Sequence, residues 1–210
     1  MLVFCNLTIF NNIYVSAYKL LYFMFLTYDF DLGKERLEYV LGAVNMLDRK
    51  DEKIGSFSGG MKQRIGIAQA LLNNPKIILF DEPTVGLDPE ERVRFRNLIY
   101  DLATDCIVIL SSHIVSDIDT IADKVAIMKN GGLIEYGSQN EIINKVKNNV
   151  FEATINPNSL SKFKENYTLV NTTRRNGDLI VRYISNSPIE NSKKQKATLE
   201  DAYLFLNKLK

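Results

Sequence analysis

A chain of 210 residues with 46% hydrophobic and 24% charged residues can bury a substantial core, and its length suits one domain with an appendage or two small domains. Its formal net charge of +1 gives no electrostatic attraction for a polyanion, so we expect no nucleic-acid partner. The two cysteines, Cys5 and Cys106, lie far apart without a Cys-x-x-Cys spacing, which favours a reducing compartment.

The segment from Met1 to Tyr28 is unusually apolar, with Lys19 as its only charged residue. Polar residues interrupt every window of the roughly 20 apolar residues that a bilayer requires. The segment also lacks the basic start and the small-residue cleavage site of a signal peptide. We therefore expect an apolar segment of a folded domain, either fully packed or left partly uncovered by a missing neighbour.

Helices and strands are predicted to alternate from residue 34 to residue 148. Apolar residues at helical spacing predict an amphipathic helix over 34–50, and Ser58 predicts the N-cap of a second helix that ends near Pro75. The run 77–80 is too short for a helix and predicts a strand buried on both faces, as in a parallel sheet. The later elements are a helix from Pro89, a buried strand over 106–110, a helix over 114–122, strands over 124–128 and 133–136, and a capped helix over 138–148.

The pattern changes beyond residue 150 to that of a small α+β unit. A strand and a short helix precede a hairpin that turns at Asn176-Gly177. A polar linker over 186–196 then leads to a final helix capped by Thr198 with Asp201. We therefore predict two domains, 1–149 and 150–210.

Two carboxylates, Asp81 and Glu82, directly follow the apolar run 77–80. Open α/β sheets bind ligands at the carboxyl ends of their strands. Asp81 could hold Mg²⁺, directly or through water, and Glu82 could polarise a water for attack on a terminal phosphate. A lone Asp-Glu pair more often ends a strand in a solvated turn, so this pair indicates phosphate chemistry only together with other motifs.

The Ser58-Gly59-Gly60 turn places backbone N–H groups and a hydroxyl at the start of a helix, which is an arrangement that binds anions. By itself the tripeptide is more typical of a plain N-cap with flexible glycines. Its significance therefore depends on the neighbouring motifs.

His113 is the only histidine of the chain and follows the predicted strand over 106–110. It should lie at the carboxyl end of that strand, near Asp81 if the two strands are neighbours. A lone histidine is usually a surface or core residue, but this location favours contact with a phosphate.

Taken together, these residues resemble the ATP-binding cassette of ABC transporters over residues 34–137. The matching motifs are Phe57-Ser58-Gly59-Gly60-Met61 for the signature, 77–81 for the Walker B strand, Glu82 for the catalytic glutamate, Gly86-Leu87-Asp88 for the D-loop and His113 for the switch histidine. The resemblance implies an α/β fold with an incomplete P-loop NTPase-like parallel sheet, a helical subdomain and a small α+β C-terminal extension. The C-terminal tail is similar to that of single-cassette exporter ATPases.

In that family two cassettes enclose ATP, and the signature of one contacts the nucleotide held by the other. The resemblance therefore implies an ATP hydrolase with ATP and Mg²⁺ as cofactors. Its implied partners are a second cassette, in a homo- or heterodimer, and a membrane-spanning permease subunit. The chain itself would be cytoplasmic and peripheral on the cytoplasmic face of the cell membrane. The implied site residues are Ser58, Gly59, Gly60 and Asp88 for the nucleotide, Asp81 for Mg²⁺, and Glu82 and His113 for catalysis.

The sequence departs from the family because it contains no Gly-x-x-x-x-Gly-Lys-Ser/Thr loop and no glutamine before Gln63. Asn6-Leu7-Thr8-Ile9 resembles the segment after the Q-loop, which predicts a chain that starts partway through a cassette. Since the missing loop supplies most contacts to the phosphates, we expect negligible ATP hydrolysis by the isolated chain. Two alternatives remain: a non-catalytic fragment that donates its signature to a partner cassette, and a degenerate gene product.

Overall fold

The computed structural model describes residues 2–5, 15–27 and 34–209. Contacts between residues divide the chain into two compact units, Met1–Asp117 and Ile118–Lys210. This division does not coincide with the predicted domain boundary after residue 149. That boundary stays a prediction.

The first unit combines helices with a parallel sheet. Its strands are β1 (Leu2–Cys5), β2 (Ile77–Asp81) and β3 (Ile107–Ser111), and its helices are α1 (Ala17–Thr27), α2 (Lys34–Ala43), α3 (Gly59–Leu71) and α4 (Pro89–Leu102). The strands pair in the order β1-β2-β3, and both pairings are parallel. The predicted parallel sheet around residues 77–80 is therefore present.

Strand β3 lies at the edge of the described sheet. Ile107 and Ile109 are 62% and 51% exposed. The prediction of a buried strand over 106–110 is therefore wrong, because an apolar run shows which residues prefer burial but not whether a neighbouring element covers them. Strand β2 lies between the other two strands and buries Ile78 and Phe80.

Helices α1, α2 and α3 pack on one another, and α3 also packs on β1. Helix α3 contacts both α1 and α2. The contacting faces bury Leu21, Leu37, Leu41 and Ile65, none of which is measurably exposed. The burial of Leu21, like that of Ala17, agrees with the prediction that the apolar segment 1–28 belongs to a folded domain. Asn6-Leu7-Thr8-Ile9 lies outside the described residues.

Helix α2 is shorter than the predicted helix over 34–50. It ends at Ala43, and Asn45 has a left-handed backbone with φ of +53°. A single turn of 3-10 helix at Leu47–Arg49 follows. The apolar pattern of the sequence extends beyond the end of α2 because Val44 and Met46, which are not helical, also have buried side chains.

The second unit begins with helix α5 (Val115–Asp119), which crosses the division, and a hairpin of β4 (Lys124–Lys129) and β5 (Gly132–Ser138). The strands are antiparallel, and their turn uses positive φ at Asn130 and Gly131. Ser138 and Glu141 form the predicted capping box at the start of α6 (Gln139–Asn144).

A four-stranded sheet forms the rest of this unit. Its members are β6 (Val150–Ile155), β7 (Thr168–Arg175), β8 (Asp178–Ile184) and β9 (Lys193–Lys194), paired in the order β7-β8-β6-β9 and packed with α7 (Leu160–Asn166) and α8 (Leu199–Leu209). Tyr183 is fully buried among Phe151, Phe163 and Tyr167. The predicted hairpin at Asn176-Gly177 is present.

The final helix is fixed by a second reciprocal cap. Thr198 donates its backbone N–H and its hydroxyl to Asp201 Oδ2, at 2.7 and 2.8 Å. Asp201 N–H donates back to Thr198 Oγ1 at 3.3 Å. Within the ranges the structure describes, no helix has the length and apolar character to cross a membrane.

Candidate functional site

The adjacent carboxyl ends of β2 and β3 bring the two loops of the candidate site together. Asp81 is paired with Ser111 in the strand register. Ser111 Oγ donates to Asp81 Oδ1 at 2.5 Å. The backbone N–H of Glu82 donates to Ser111 O at 3.1 Å and lies 3.2 Å from Ser111 Oγ. One serine therefore contacts both residues of the Asp-Glu pair.

Glu82 and His113 contact each other directly across the two loops. The backbone N–H of His113 donates to Glu82 Oε1 at 3.0 Å, and His113 Nδ1 lies 2.8 Å from Glu82 Oε2. The Glu82 side chain is 37% exposed and the His113 side chain 68%, although the Glu82 Oε2 atom itself is buried. The sequence predicts His113 near Asp81. In the structure His113 contacts Glu82, the next residue along the chain.

The backbone of Glu82 is left-handed, with φ of +47°. A residue with a side chain rarely adopts this conformation, and it costs on the order of 1 kcal/mol unless surrounding contacts enforce it. The sequence gives no sign of this strain, because nothing but the tertiary contacts of the loop requires it. Such outliers occur often where a side chain must be aimed at a ligand.

The residues present fit Mg²⁺ held in part by a bound phosphate. Asp81 supplies a carboxylate and Ser111 a hydroxyl, which are oxygen ligands that Mg²⁺ accepts. Among the described residues, no group of three or more His, Cys, Asp or Glu side chains could hold a metal by itself. Mg²⁺ commonly keeps several waters and binds through one or two carboxylates plus phosphate oxygens, so this donor set suits it.

The predicted anion-binding turn begins helix α3. Ser58 Oγ accepts from Met61 N–H at 3.2 Å and is the N-cap. A Cβ atom added to Gly59 would have no atom of the described residues within 4 Å. At Gly60 an added Cβ would lie 3.3 Å from Leu87 Cδ2. A side chain at position 60 would therefore crowd Leu87 within this chain, whereas one at position 59 would meet no described residue.

Asp88 is the N-cap of helix α4. Its Oδ1 accepts from the backbone N–H of Glu91 at 2.9 Å. Pro89 is the first residue of the helix, as the sequence predicts. The hydrogen bonds of Ser58 and Asp88 thus go to their own helices, while those of Asp81, Glu82 and His113 join two strands.

A charged cluster joins helices α3 and α4 beside Gly60. Arg64 is ion-paired with Glu91, which also accepts from Arg94 at 3.2 Å. Next to this cluster, the side chain of Gln63 is buried, and its Nε2 has no hydrogen-bond partner among the described residues. A cavity of about 250 Å³ adjoins it. Sequence reasoning named none of these side chains as functional.

The polar residues that sequence analysis missed are mostly buried. Thr84 and Asp117 are 1% and 5% exposed and hydrogen-bonded to each other. The only signal in the sequence was that both are polar residues close to predicted site residues. Thr84 lies two residues after Glu82, and Asp117 lies four residues after His113. Position in the sequence does not show that the two side chains meet.

Comparisons with known proteins agree with this geometry. Residues 2–85 match a family model described as ABC transporter, which covers α3, β2 and the Asp-Glu pair. Residues 2–85 therefore carry sequence similar to an ABC transporter ATP-binding domain, in agreement with the predicted resemblance.

Curated relatives are described as ATP-binding proteins. YxlF of Bacillus subtilis, an uncharacterized ABC transporter ATP-binding protein, is 36% identical over 122 residues, which are 58% of this chain and 41% of that protein. The bacitracin transport ATP-binding protein BcrA of Bacillus licheniformis is 42% identical over 104 residues, 49% of this chain and 34% of that protein. The chain thus spans about two fifths or less of the length of these relatives.

A solved structure shows the same fold. The structure of cbiO1 from Clostridium perfringens, part of the ABC transporter complex cbiONQ, matches with a TM-score of 0.57 and 26% identity. The match covers 70% of this chain and 62% of that one. The predicted α/β fold class, with its parallel sheet and helices, is confirmed.

Proposed function

We propose that this chain acts within an ABC transporter as an ATP-binding subunit, coupling ATP binding and hydrolysis in a cassette dimer to export of a substrate. The observation that carries the proposal is the contact of Glu82 with His113 beside Asp81, at the carboxyl ends of two parallel strands. These are the two loops at which an open α/β sheet presents catalytic groups.

In the proposed reaction, water attacks the terminal phosphorus of ATP and the bond to the β-phosphate oxygen breaks. Asp81 would hold Mg²⁺, which neutralises charge on the phosphates when bound. Glu82 would orient the water and accept its proton, and His113 would keep the Glu82 carboxylate facing the phosphate. The proton then passes to the released phosphate, so that atoms and charge balance.

The residues Ser58, Gly59 and Gly60 are proposed to contact a nucleotide held by a second cassette, with Asp88 beside them. The open space at Gly59 and the exposed N-terminus of α3 favour approach of an external phosphate. The second cassette could be another copy or a different chain. A membrane-spanning permease would hold the pair peripherally on the cytoplasmic face of the membrane.

We further propose that these 210 residues hydrolyse ATP negligibly by themselves, because they contain no Gly-rich loop to bind the phosphates. Titration of the purified chain with a fluorescent ATP analogue and Mg²⁺, together with a phosphate-release assay, tests this. Micromolar binding with turnover that Glu82→Gln abolishes would contradict it. Absence of turnover with retained folding is the expected result.

A second experiment tests the role of Ser58 in trans. The chain is co-expressed with a complete cassette and the ATPase activity of the purified pair is measured. Ser58→Asp keeps an N-cap acceptor but places a negative charge against the phosphates, so we expect activity to fall at least tenfold. Ser58→Asn is the matched control, because it keeps the cap without the charge. Equal activity of the two variants would exclude nucleotide contact at Ser58.

A further inference from the structure

A buried hydrogen bond joins the loop after β2 to helix α5, at a point away from the proposed reacting groups. Thr84 Oγ1 donates to Asp117 Oδ2 at 2.6 Å. Arg92 Nη1 lies 3.7 Å from Asp117 Oδ1, and Arg92 Nε donates to Leu87 O at 3.3 Å. Asp117 therefore contacts the β2 loop directly at Thr84, and Arg92 of α4 links it indirectly to Leu87 near the end of that loop.

The β2 loop is also attached at Glu82. Ser111, the last residue of β3, and His113, which follows that strand, contact Glu82 at one end, and Asp117 of α5 contacts Thr84 at the other. Two separate attachments between the β2 loop and the segment 111–117 fix both the distance between them and their relative rotation. A single attachment at Glu82 would leave rotation about that contact.

The strained backbone of Glu82 requires such a constraint. A left-handed residue with a side chain persists only where its surroundings enforce the conformation. Glu82 O accepts from Val85 N–H at 3.3 Å, and Thr84 O accepts from Leu87 N–H at 3.2 Å, which forms two overlapping turns. Thr84 belongs to both turns and is the residue that the buried hydrogen bond holds.

We propose that Thr84 and Asp117 are positioning residues, which hold Glu82 in its left-handed conformation and keep its carboxylate on His113. This role in catalysis rests on the proposed function of Glu82, but the structural link stands independently of nucleotide. The burial of both side chains supports it, because a hydrogen bond shielded from water is stronger than one exposed to solvent.

A merely stabilising role makes a different prediction. If the bond between Thr84 and Asp117 served only global stability, its loss would change the exchange of all protected amides of this unit by one common factor. If it holds Glu82, the amides of Glu82 and His113 should respond more than the rest. Both amides donate across the two loops, to Ser111 O and Glu82 Oε1 respectively.

The experiment compares solvent exchange of backbone amides by NMR in the nucleotide-free full chain and in Thr84→Val, which replaces the hydroxyl with a methyl group. We expect the exchange of the Glu82 and His113 amides to rise by about tenfold, with that of Ile67 in α3 changing much less. Thr84→Ser keeps the hydroxyl and should stay within about twofold of the unchanged chain.

One control variant and one substitute variant complete the experiment. Thr104→Val removes an exposed threonine hydroxyl that donates to Asp101 O, and it should leave the Glu82 and His113 amides unaffected. If Thr84→Val fails to fold, Arg92→Gln tests the same link more mildly and should raise the same two rates by a smaller factor. Unchanged rates at Glu82 and His113, or a rise equal to that of Ile67, would overturn the proposal. Since no ATP is added, loss of the proposed ATP function would leave this result intact.

Discussion

Both oxygens of the Glu82 carboxylate face His113, one accepting from its backbone N–H at 3.0 Å and the other lying 2.8 Å from its Nδ1. The orientation of one carboxylate is thus fixed by a residue from the loop after the neighbouring strand. A water or phosphate that approaches Glu82 must share the carboxylate with His113 or displace its imidazole. The His113 side chain is 68% exposed, whereas Glu82 Oε2 is buried, so a ligand reaches that oxygen only if the imidazole moves.

The left-handed backbone of Glu82 predicts an unusual order of stability among its variants. Asn tolerates positive φ better than other residues with side chains, whereas the β-branched side chain of Val clashes. We expect Glu82→Val to unfold more easily than Glu82→Asn by about 1 kcal/mol, as measured by urea denaturation. The pair Glu90→Val and Glu90→Asn, at an exposed helical position, is the control and should not show this gap.

The two glycines at the start of α3 should respond differently to alanine. Gly59→Ala meets no atom within 4 Å, so it should raise the free energy of unfolding by about 0.5 kcal/mol by restricting the unfolded chain. Gly60→Ala places its Cβ 3.3 Å from Leu87 Cδ2 and should give no gain or a loss. Thermal denaturation followed by circular dichroism separates the two. Equal stabilisation by both substitutions would contradict the packing argument.

The capping box of α6 predicts a local dependence on pH. Hydrogen bonds from the Ser138 hydroxyl, then from its backbone N–H, lower the pKa of Glu141 from its ordinary value of 4.5. The cap therefore stabilises the fold above that value and loses this effect as pH falls through the lower, folded-state pKa. We expect Ser138→Ala to raise the pKa of Glu141, as measured by NMR titration of its carboxyl carbon.

The control for that titration is Ser159→Ala. Ser159 precedes α7 in the same unit, but its side chain makes no capping hydrogen bond. Its removal should leave the pKa of Glu141 where it is. A Glu141 pKa that does not move in Ser138→Ala would show that the box is not formed in solution.

The sequence predicted best those features that depend on a few consecutive residues. The caps at Ser58, Ser138 and Thr198 form as expected because each uses a side chain and an N–H three residues away. The turn at Asn176-Gly177 likewise depends on local backbone preference. Local chemistry was therefore sufficient for element starts and tight turns.

Features that depend on distant residues were missed or wrong. The exposure of Ile107 depends on which strands flank β3, and the length of α2 depends on where Val44 and Met46 find buried sites. At the candidate site, strand order predicted that His113 would approach the β2 loop, but not the positive φ of Glu82. The meeting of Thr84 with Asp117, 33 residues away, is a tertiary event that no local pattern encodes.

The buried pair of Arg182 and Asp201 should carry much of the stability of the second unit. Asp201 is fully buried, and Arg182 donates from Nε and Nη2 to its two carboxylate oxygens, at 2.9 and 2.6 Å, which raises the pKa of Arg182. We expect Asp201→Ala to cost about 3 kcal/mol or more, because it leaves Arg182 without its partner. Glu200→Ala, exposed in the same helical turn, should cost much less. Urea unfolding followed through the NMR signals of β8 measures the free energy of unfolding of both variants. A decrease below about 1 kcal/mol for Asp201→Ala would show that water hydrates the Arg182 guanidinium in place of the carboxylate.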